Sequence, residues 1–532
     1  MTGQGSDADA GVPAVLDRAF ARAAPWAPAV AACGAAAMAL LTAWSLHFYV
    51  RIPVDIVSFA ESPFLTDVIK LRTGVPVYGP LGDNNSYPYT PGTQALTWAL
   101  ASLFGKGGDV AALRTVGVSY VVAAALLGTA LLDLVVRRLL SAATYPHRAA
   151  WLVLSVSTLF VLGFHERFNL YTHTLHNDSL ALLVCTLGLF LAARFAFAPG
   201  RGAVVALALV PAAGFLVKQS LVIWGPLLLA FLVVASPRRV RDVALYLGVA
   251  AVALGAALAA LRAVGGPETW TWTFGALGGK QVALVRSIQH LATGGLFWAL
   301  GLFAGGALLA RGDRRLAALW AVWAALFGTE CYTSGIGWVE NHMGPGVVTG
   351  TALFLASVAA AHARADAAPV RRIAVCAALV LGLASQGGVR DPRDPVPADL
   401  ARYVADIDRE FADLPAKDVL LDAGTWPYLR DGLVMKDRAD PVALHVGMNQ
   451  KEINHAALAD TIARLRAKTY RRVLARAIDT GQSAYDFQDR GSGVLDALRE
   501  NYVVVRKIPA VAGNGPWWPR LLLAEISVLE PK

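Results

Sequence analysis

Long apolar runs recur along the chain, separated by short polar stretches. They fall at about 27–50, 110–136, 149–165, 179–198, 203–217, 220–235, 243–264, 295–310, 316–334, 345–363 and 373–388. A helix needs about 20 apolar residues to cross a bilayer, so the pattern predicts about eleven spans, several of them short. The stretch 203–235 is broken by Lys218-Gln219-Ser220. A lysine at the bilayer centre costs about 2.5–3.5 kcal/mol, which favours two short spans with Lys218 near a water interface. Residues 91–105 read differently. Leu96, Ala99, Leu100, Leu103 and Phe104 share one helical face, while Gln94, Thr97 and Ser102 lie elsewhere, and two prolines precede them. This predicts an amphipathic helix lying on the membrane surface.

From about residue 389 the pattern changes. Asp391-Pro392-Arg393-Asp394-Pro395 reads as a linker, and Leu400, Val404, Ile407 and Phe411 then give a helical period. Val419-Leu420-Leu421, Arg472-Val473-Leu474-Ala475 and Tyr502-Val503-Val504-Val505 read as short buried strands. Trp517-Trp518 suits a core or membrane-interface anchor. The expected fold is therefore a polytopic α-helical membrane protein with a C-terminal soluble α/β domain. Its parts are an N-terminal tail at 1–26, a transmembrane domain at 27–388 and the α/β domain at 389–532.

Composition agrees. The 532 residues are 56% apolar and 16% charged, with a mean hydropathy of +0.50. Soluble domains are roughly 45–50% apolar and about 25% charged. An ordinary cytosolic enzyme, a disordered chain and a disulfide scaffold are excluded. The net charge of +9 resides largely in arginine clusters between apolar runs: Arg137, Arg138 and Arg148; Arg238, Arg239 and Arg241; Arg311, Arg314 and Arg315; Arg364, Arg371 and Arg372. With eleven spans all four fall on one side, which the positive-inside rule makes cytoplasmic. The N-terminus is then inside a plasma (inner) membrane and residues 389–532 are outside. No basic face with interleaved aromatics suggests nucleic acid. Cys33, Cys185, Cys331 and Cys376 sit in or beside apolar runs without metal-type spacing. Val30-Ala31-Ala32-Cys33 loosely mimics a lipoprotein cleavage box. The apolar run continues to Val50, however, which reads as an uncleaved first span.

Polar residues concentrate in the expected outer loops. The first holds Asp55, Glu61, Asp67, Lys70 and Arg72, then Tyr78, Tyr87 and Tyr89. The second holds His165, Glu166, Arg167, Tyr171, His173, His176, Asn177 and Asp178, and Glu340, Asn341 and His342 follow near 340. Each residue alone fits an ordinary solvated loop; their grouping points to a site. Asp55 follows the first span within about five residues, where a carboxylate can act as general base beside a lipid-borne group. Lys218 at a span end can neutralise a lipid phosphate, with Arg167 as a second cation. His165, Glu166, His173, His176 and Asp178 leave a metal reading open, with His173 and His176 on one face if the segment is helical. No HExxH fixes it.

The layout resembles the GT-C superfamily of membrane glycosyltransferases, which includes protein O-mannosyltransferases and lipid A aminoarabinose transferases. The resemblance rests on Asp55 after the first span, Gly74-Val75-Pro76-Val77-Tyr78 leading to Ser86-Tyr87-Pro88-Tyr89-Thr90-Pro91-Gly92, His176-Asn177-Asp178-Ser179-Leu180-Ala181-Leu182-Leu183, and Lys218-Gln219-Ser220, over about 27–388. Relatives carry an Asp-Glu pair where this chain has Asp55-Ile56, and Tyr-Pro-Pro where it has Tyr-Pro-Tyr-Thr-Pro. Asp55, Glu61 and Asp67 therefore all stand as candidate bases, Asp55 first. The resemblance implies transfer from a polyprenyl-phosphate sugar to an acceptor hydroxyl on a lipid, protein or polysaccharide outside the cytoplasm, with inversion. It also implies donor contacts from Lys218, Arg167, Glu166, Tyr87, Tyr89, Asp178, Asn341 and His342, a groove for membrane lipid, and no cofactor. A transporter or flippase would place its charges near the midplane, often in inverted repeats; no internal repeat is found. A non-catalytic envelope assembly protein is the other alternative.

Overall fold

The computed structural model describes residues 19, 21–55, 61–80, 86–140, 145–275, 282–310, 312–336, 340–363, 394–395, 397–415, 418–421, 425–426, 459, 461–476, 493–514, 520–523 and 525–532. The helices that matter below are α1 (Ala27–Val50), α2 (Ser62–Thr73), α3 (Gly92–Leu103), α4 (Val110–Leu139), α5 (Arg148–Gly163), α6 (Asp178–Phe197) and α7 (Arg201–Val217). They continue with α8 (Trp224–Ala235), α9 (Arg239–Gly265), α10 (Leu284–Thr293), α11 (Gly295–Leu309), α12 (Arg314–Ser334) and α13 (Gly344–His362). Ten of the apolar runs become helices. The run at 373–388, Cys376, Trp517-Trp518 and the fourth arginine cluster lie outside the described residues.

Among the described residues, the helices of α1, α4, α6, α9 and α13 are each long and apolar enough to cross a membrane, and α10 with α11, bent by 73°, would make a sixth. That is fewer than the eleven runs suggested. Length accounts for part of this: α7, with 17 residues, reaches only about 25 Å at 1.5 Å per residue, short of a hydrocarbon core about 30 Å thick, whereas α12 has 21 residues but carries Arg314, Arg315 and Glu330. α5 and the Gln219–Ala235 segment are likewise short apolar helices. The helices pack as a bundle, α4 against α5 and α6, α1 against α5, α7 against α9, and α11 against α13.

The bundle has two chemically different ends. At one, Arg137 and Arg148 share Asp133, each at 2.9 Å, and Arg138 reaches Asp313. There Arg315 also donates to the carbonyl of Ala196 at 2.8 Å. The basic loops after α4, α6 and α11 thus meet. The other end gathers residues 51–55, α2, 86–90, α3, 165–178 and Lys218. Here α3 turns its polar residues inward. Thr93, Gln94 and Thr97 are buried, while Leu96, Leu103 and Phe104 are exposed. An apolar outer face is what a helix against lipid presents.

The C-terminal strands form two small sheets. One has the order β2 (Val419–Leu421), β3 (Arg472–Arg476), β7 (Ile526–Pro531), β4 (Tyr502–Ile508), with β2 and β3 parallel and the other pairs antiparallel. The other joins β1 (Asp394–Pro395), β5 (Val511–Asn514) and β6 (Arg520–Leu523), all antiparallel. Asp394-Pro395, expected in a linker, therefore belongs to a strand. β4 is an edge strand, and its Val503 and Val505 are exposed; the expectation of full burial overlooked the period of two. Helix α14 (Pro397–Phe411) buries Ile407 as its period predicts. Ile407, Val419, Leu421, Leu474 and Val528 share one apolar cluster with Ile52, Val54, Phe64 and Leu65. The sheet is thus packed onto the segment after α1 and onto α2.

Candidate active site

Asp55 is fully buried at the end of the short segment that follows α1. Its carboxylate accepts from the backbone N–H of Thr425 at 2.9 and 3.1 Å, from Trp426 N–H at 3.1 Å, and from Thr425 Oγ1 at 2.9 Å. Every one of these donors comes from the segment after β2. Glu61 is also fully buried. It takes Arg114 through both oxygens at 2.8 and 2.6 Å and accepts Leu175 N–H at 2.8 Å. Arg114 extends the link, donating to the carbonyls of Ile52 at 2.6 Å and Val54 at 2.7 Å. An isolated buried charge would cost several kcal/mol; here every polar edge of the guanidinium meets an acceptor.

Asp67 lies on α2, buried, with Oδ2 accepting Gln94 Nε2 at 3.3 Å and no hydrogen-bond partner on Oδ1 among the described residues. Burial pushes its carboxyl up to about 8, against the pull of Lys70. Lys70 donates to the carbonyl of Val77 at 2.7 Å and to Ser86 Oγ at 3.3 Å. The Gly-x-Pro-x-Tyr motif explains the turn. Gly74 takes φ +71°, the left-handed C-cap that ends α2. Val77 and Tyr78 N–H then bond to the carbonyls of Val264 and Gly265 at the end of α9. Tyr78 donates its hydroxyl to the Tyr89 carbonyl at 2.7 Å. The Tyr87 and Tyr89 rings stand 5.1 Å apart with Phe64 against both, and burial raises both phenols above their ordinary value.

The segment 166–177 is a succession of turns, not a helix. It therefore does not stack His173 above His176. His173 packs edge-on to Tyr49, with centroids 4.3 Å apart, and His176 Nδ1 sits 3.3 Å from Asp178 Oδ2. Among the described residues no three His, Cys, Asp or Glu side chains cluster as metal ligands would. Asp178 opens α6 and pairs with Lys218 Nζ at 3.1 Å. Lys218 is buried between the end of α7 and a 3-10 turn at Gln219–Ile223, 5.8 Å from the Tyr89 ring centre. The ammonium is shielded by protein, and Asp178 makes that tolerable. Glu166 and Arg167 are exposed on the loop. The side chain of Asn341 lies outside the described residues.

An open cleft holding ≈ 470 Å³ of empty space lies at this end of the bundle. Asp178, Lys218, Ser220, Glu330 and His342 supply its polar lining, with Leu221, Ile223 and Leu326 among its apolar wall. Arg114 ties the carbonyl of Val54, the residue before Asp55, to Glu61, which accepts Leu175 N–H; His176, next in the chain, meets Asp178, and Asp178 pairs with Lys218. Arg114, Glu330 and Thr425 escape the sequence reading. Arg114 and Glu330 carried a signal, an ionisable residue inside an apolar run. Thr425 carried none, because its role arises 370 residues from Asp55 in sequence.

No protein-family model and no curated protein matches the sequence. Solved structures do match. ArnT from Cupriavidus metallidurans, bound to undecaprenyl phosphate, superposes with a TM-score of 0.54 at 16% identity, over 93% of this chain and 97% of that one. The chain has the GT-C fold. The Archaeoglobus fulgidus oligosaccharyltransferase in its apo form aligns at TM-score 0.48 and 12% identity, over 94% of this chain and 76% of that one. The same enzyme in complex with Zn and sulfate aligns at 0.46 and 14%, over 86% and 68%. Within the GT-C fold, the buried polar network lies at the end of the bundle opposite the basic loops.

Proposed function

We propose that this protein is a membrane glycosyltransferase that moves a sugar from a polyprenyl-phosphate donor to an acceptor hydroxyl. Transfer would occur outside the plasma membrane, on the face opposite the arginine clusters, with residues 389–532 on that face. The observation that supports the reading is the gathering of buried charge at one end of the bundle, where Arg114 and Glu61 pin the segment that ends in Asp55 and where Asp178 pairs with Lys218 on the cleft wall. The ArnT likeness, to a structure holding undecaprenyl phosphate, supports the fold it needs.

In this reading Asp55 is the base. Thr425 Oγ1 already donates to its carboxylate at 2.9 Å, which is the contact an acceptor hydroxyl would make in its place. The acceptor oxygen attacks the sugar's anomeric carbon as its proton passes to Asp55. The bond from that carbon to the phosphate oxygen breaks, and the electron pair leaves with the polyprenyl phosphate. Lys218, held by Asp178 and the Tyr89 ring, supplies positive charge where the leaving phosphate gains negative charge. Attack from the side opposite the phosphate inverts the sugar. Asp67 and Glu61 rank behind it: Asp67 lies on α2 rather than at the end of the segment after α1, and both oxygens of Glu61 are gripped by Arg114.

Asp55→Asn keeps the shape and still accepts hydrogen bonds, but it no longer takes a proton. Loss of a general base costs on the order of 10²–10⁴ in rate. Transfer by the purified variant is expected to fall by that much, with lipid-phosphate binding unchanged. A variant that still transfers sugar within a few-fold of wild type refutes the role of Asp55.

A further inference from the structure

Like Asp67, Glu330 is a buried carboxylate with one oxygen that has no hydrogen-bond partner among the described residues; unlike Asp67, it lines the cleft. It lies on the last turn but one of α12, 7% exposed, on the wall of the cleft. One oxygen, Oε2, accepts the backbone N–H of Gly346 at 2.8 Å. Gly346 is in the first turn of α13, so that oxygen caps the helix and gains from its dipole. The other oxygen, Oε1, has no hydrogen-bond partner among the described residues. The cation that shares the cleft, Lys218, is committed to Asp178 at 3.1 Å. Glu61 and Asp55, by contrast, have each carboxylate oxygen engaged by a donor. A buried acceptor left open is destabilising unless a partner arrives. At the wall of a cleft, that partner can come with a ligand.

We infer that Glu330 binds the sugar of the donor, its Oε1 accepting a hydrogen bond from a sugar hydroxyl while Oε2 stays on Gly346. The assignment rests on the glycosyl-transfer reading and deepens it by giving the cleft a sugar-recognising group next to its phosphate-facing lysine. The chemistry suits the task. Hydroxyls are the donors a sugar offers, and a fixed carboxylate accepts from them more strongly than a neutral group does. Ser220 and His342 line the same cleft and offer further polar contacts. The carboxylate is held rigidly, because its other oxygen is fixed to the start of α13, so little ordering is lost when a sugar binds.

The test compares bare and glycosylated lipid. Wild-type protein and Glu330→Gln, both in lipid nanodiscs, are titrated with undecaprenyl phosphate alone and with undecaprenyl-phosphate-linked hexoses and pentoses. Glutamine still accepts from Gly346 through its amide oxygen but turns an N–H₂ donor toward the site of Oε1. Wild type is expected to bind at least one glycosylated lipid about tenfold tighter than the bare phosphate, the size of one charge-assisted hydrogen bond. Glu330→Gln is expected to lose that margin while holding bare lipid phosphate within about twofold of wild type. A variant that keeps the margin overturns the inference, and so does one that loses both ligands, which marks Glu330 as structural only. Wild type that binds the bare phosphate with no margin for any sugar overturns it while leaving the transfer reading intact. Wild type that binds neither lipid refutes both.

Discussion

At the scale of single residues, the end of the bundle opposite the basic loops is a problem in burying charge. Asp55, Glu61, Asp67, Lys70, Arg114, Asp178 and Lys218 are all buried there. The sequence marked most of them as a group that points to a site, but not their pairings, because a linear pattern does not show which charges meet. Glu61 reads as a loop acid until Arg114, 53 residues on, is seen to grip it. Asp67 gives a direct test of burial. Its carboxyl is pushed from the usual 3.8 up to about 8, so the folded protein holds that proton where the unfolded chain releases it. Stability from this group is therefore present in full below about pH 4, declines as pH rises, and levels off above about 8. Asp67→Asn keeps an acceptor for Gln94 and does not titrate. The wild-type melting temperature is expected to fall relative to this variant between those two pH values; parallel curves would show that Asp67 ionises normally in the fold.

At the scale of elements, small residues decide how closely helices approach. Trp323 on α12 lies flat against Gly301 of α11 and Gly350 of α13, and donates its indole N–H to the Gly346 carbonyl at 2.9 Å. Trp320 does the same one turn away, against Gly305, donating to the Gly301 carbonyl at 3.0 Å. A Cβ at Gly301 would collide with the Trp323 ring, which is buried and has no room to turn. Close backbone approach through small residues is how helices associate where lipid removes the hydrophobic drive. Gly301→Val is expected to destabilise the protein by about 1–3 kcal/mol, the usual cost of overpacking, read as a lower melting temperature in detergent. An unchanged melting temperature would show that α11 can shift away. The same seam holds up the cleft, since Glu330 and Gly346 lie beside it. The periodicity of apolar positions predicted these helices but not this seam, because a glycine in an apolar run gives no sign of which tryptophan will fill its groove.

At the scale of the whole molecule, the two ends of the bundle carry opposite chemistry. Basic loops tie together at one, and the buried acids with the cleft lie at the other. The positive-inside rule then orients the protein. A reporter fused after residue 145 is expected to read as cytoplasmic and one after residue 400 as external. Either result reversed would put the cleft on the wrong side for the proposed donor. The packing of α14 and the four-stranded sheet onto α2 and the segment after α1 also gives the C-terminal sheets a reason to share that side. Thr425 and Trp426 sit on Asp55, so the domain that looked devoid of chemistry in the sequence supplies every hydrogen-bond donor found on the proposed base.

The sequence by itself determined ten apolar helices, the helix α3, three of the C-terminal strands (β2, β3 and β4) and the grouping of the basic loops after α4 and α11. These follow from apolar period and charge placement, which are local properties of a chain. It also drew attention to Asp55, Asp178 and Lys218, because an acid beside a span and a lysine inside an apolar stretch are costly and therefore informative. Only the tertiary structure decided which charges neutralise one another. Lys218 meets Asp178 across 40 residues, Arg114 meets Glu61 across 53, and Asp55 meets Thr425 across 370. It also decided that Glu330, on the cleft wall, has one oxygen with no hydrogen-bond partner among the described residues. Such pairings depend on distances of about 3 Å between segments far apart in the chain, and helix packing sets those distances.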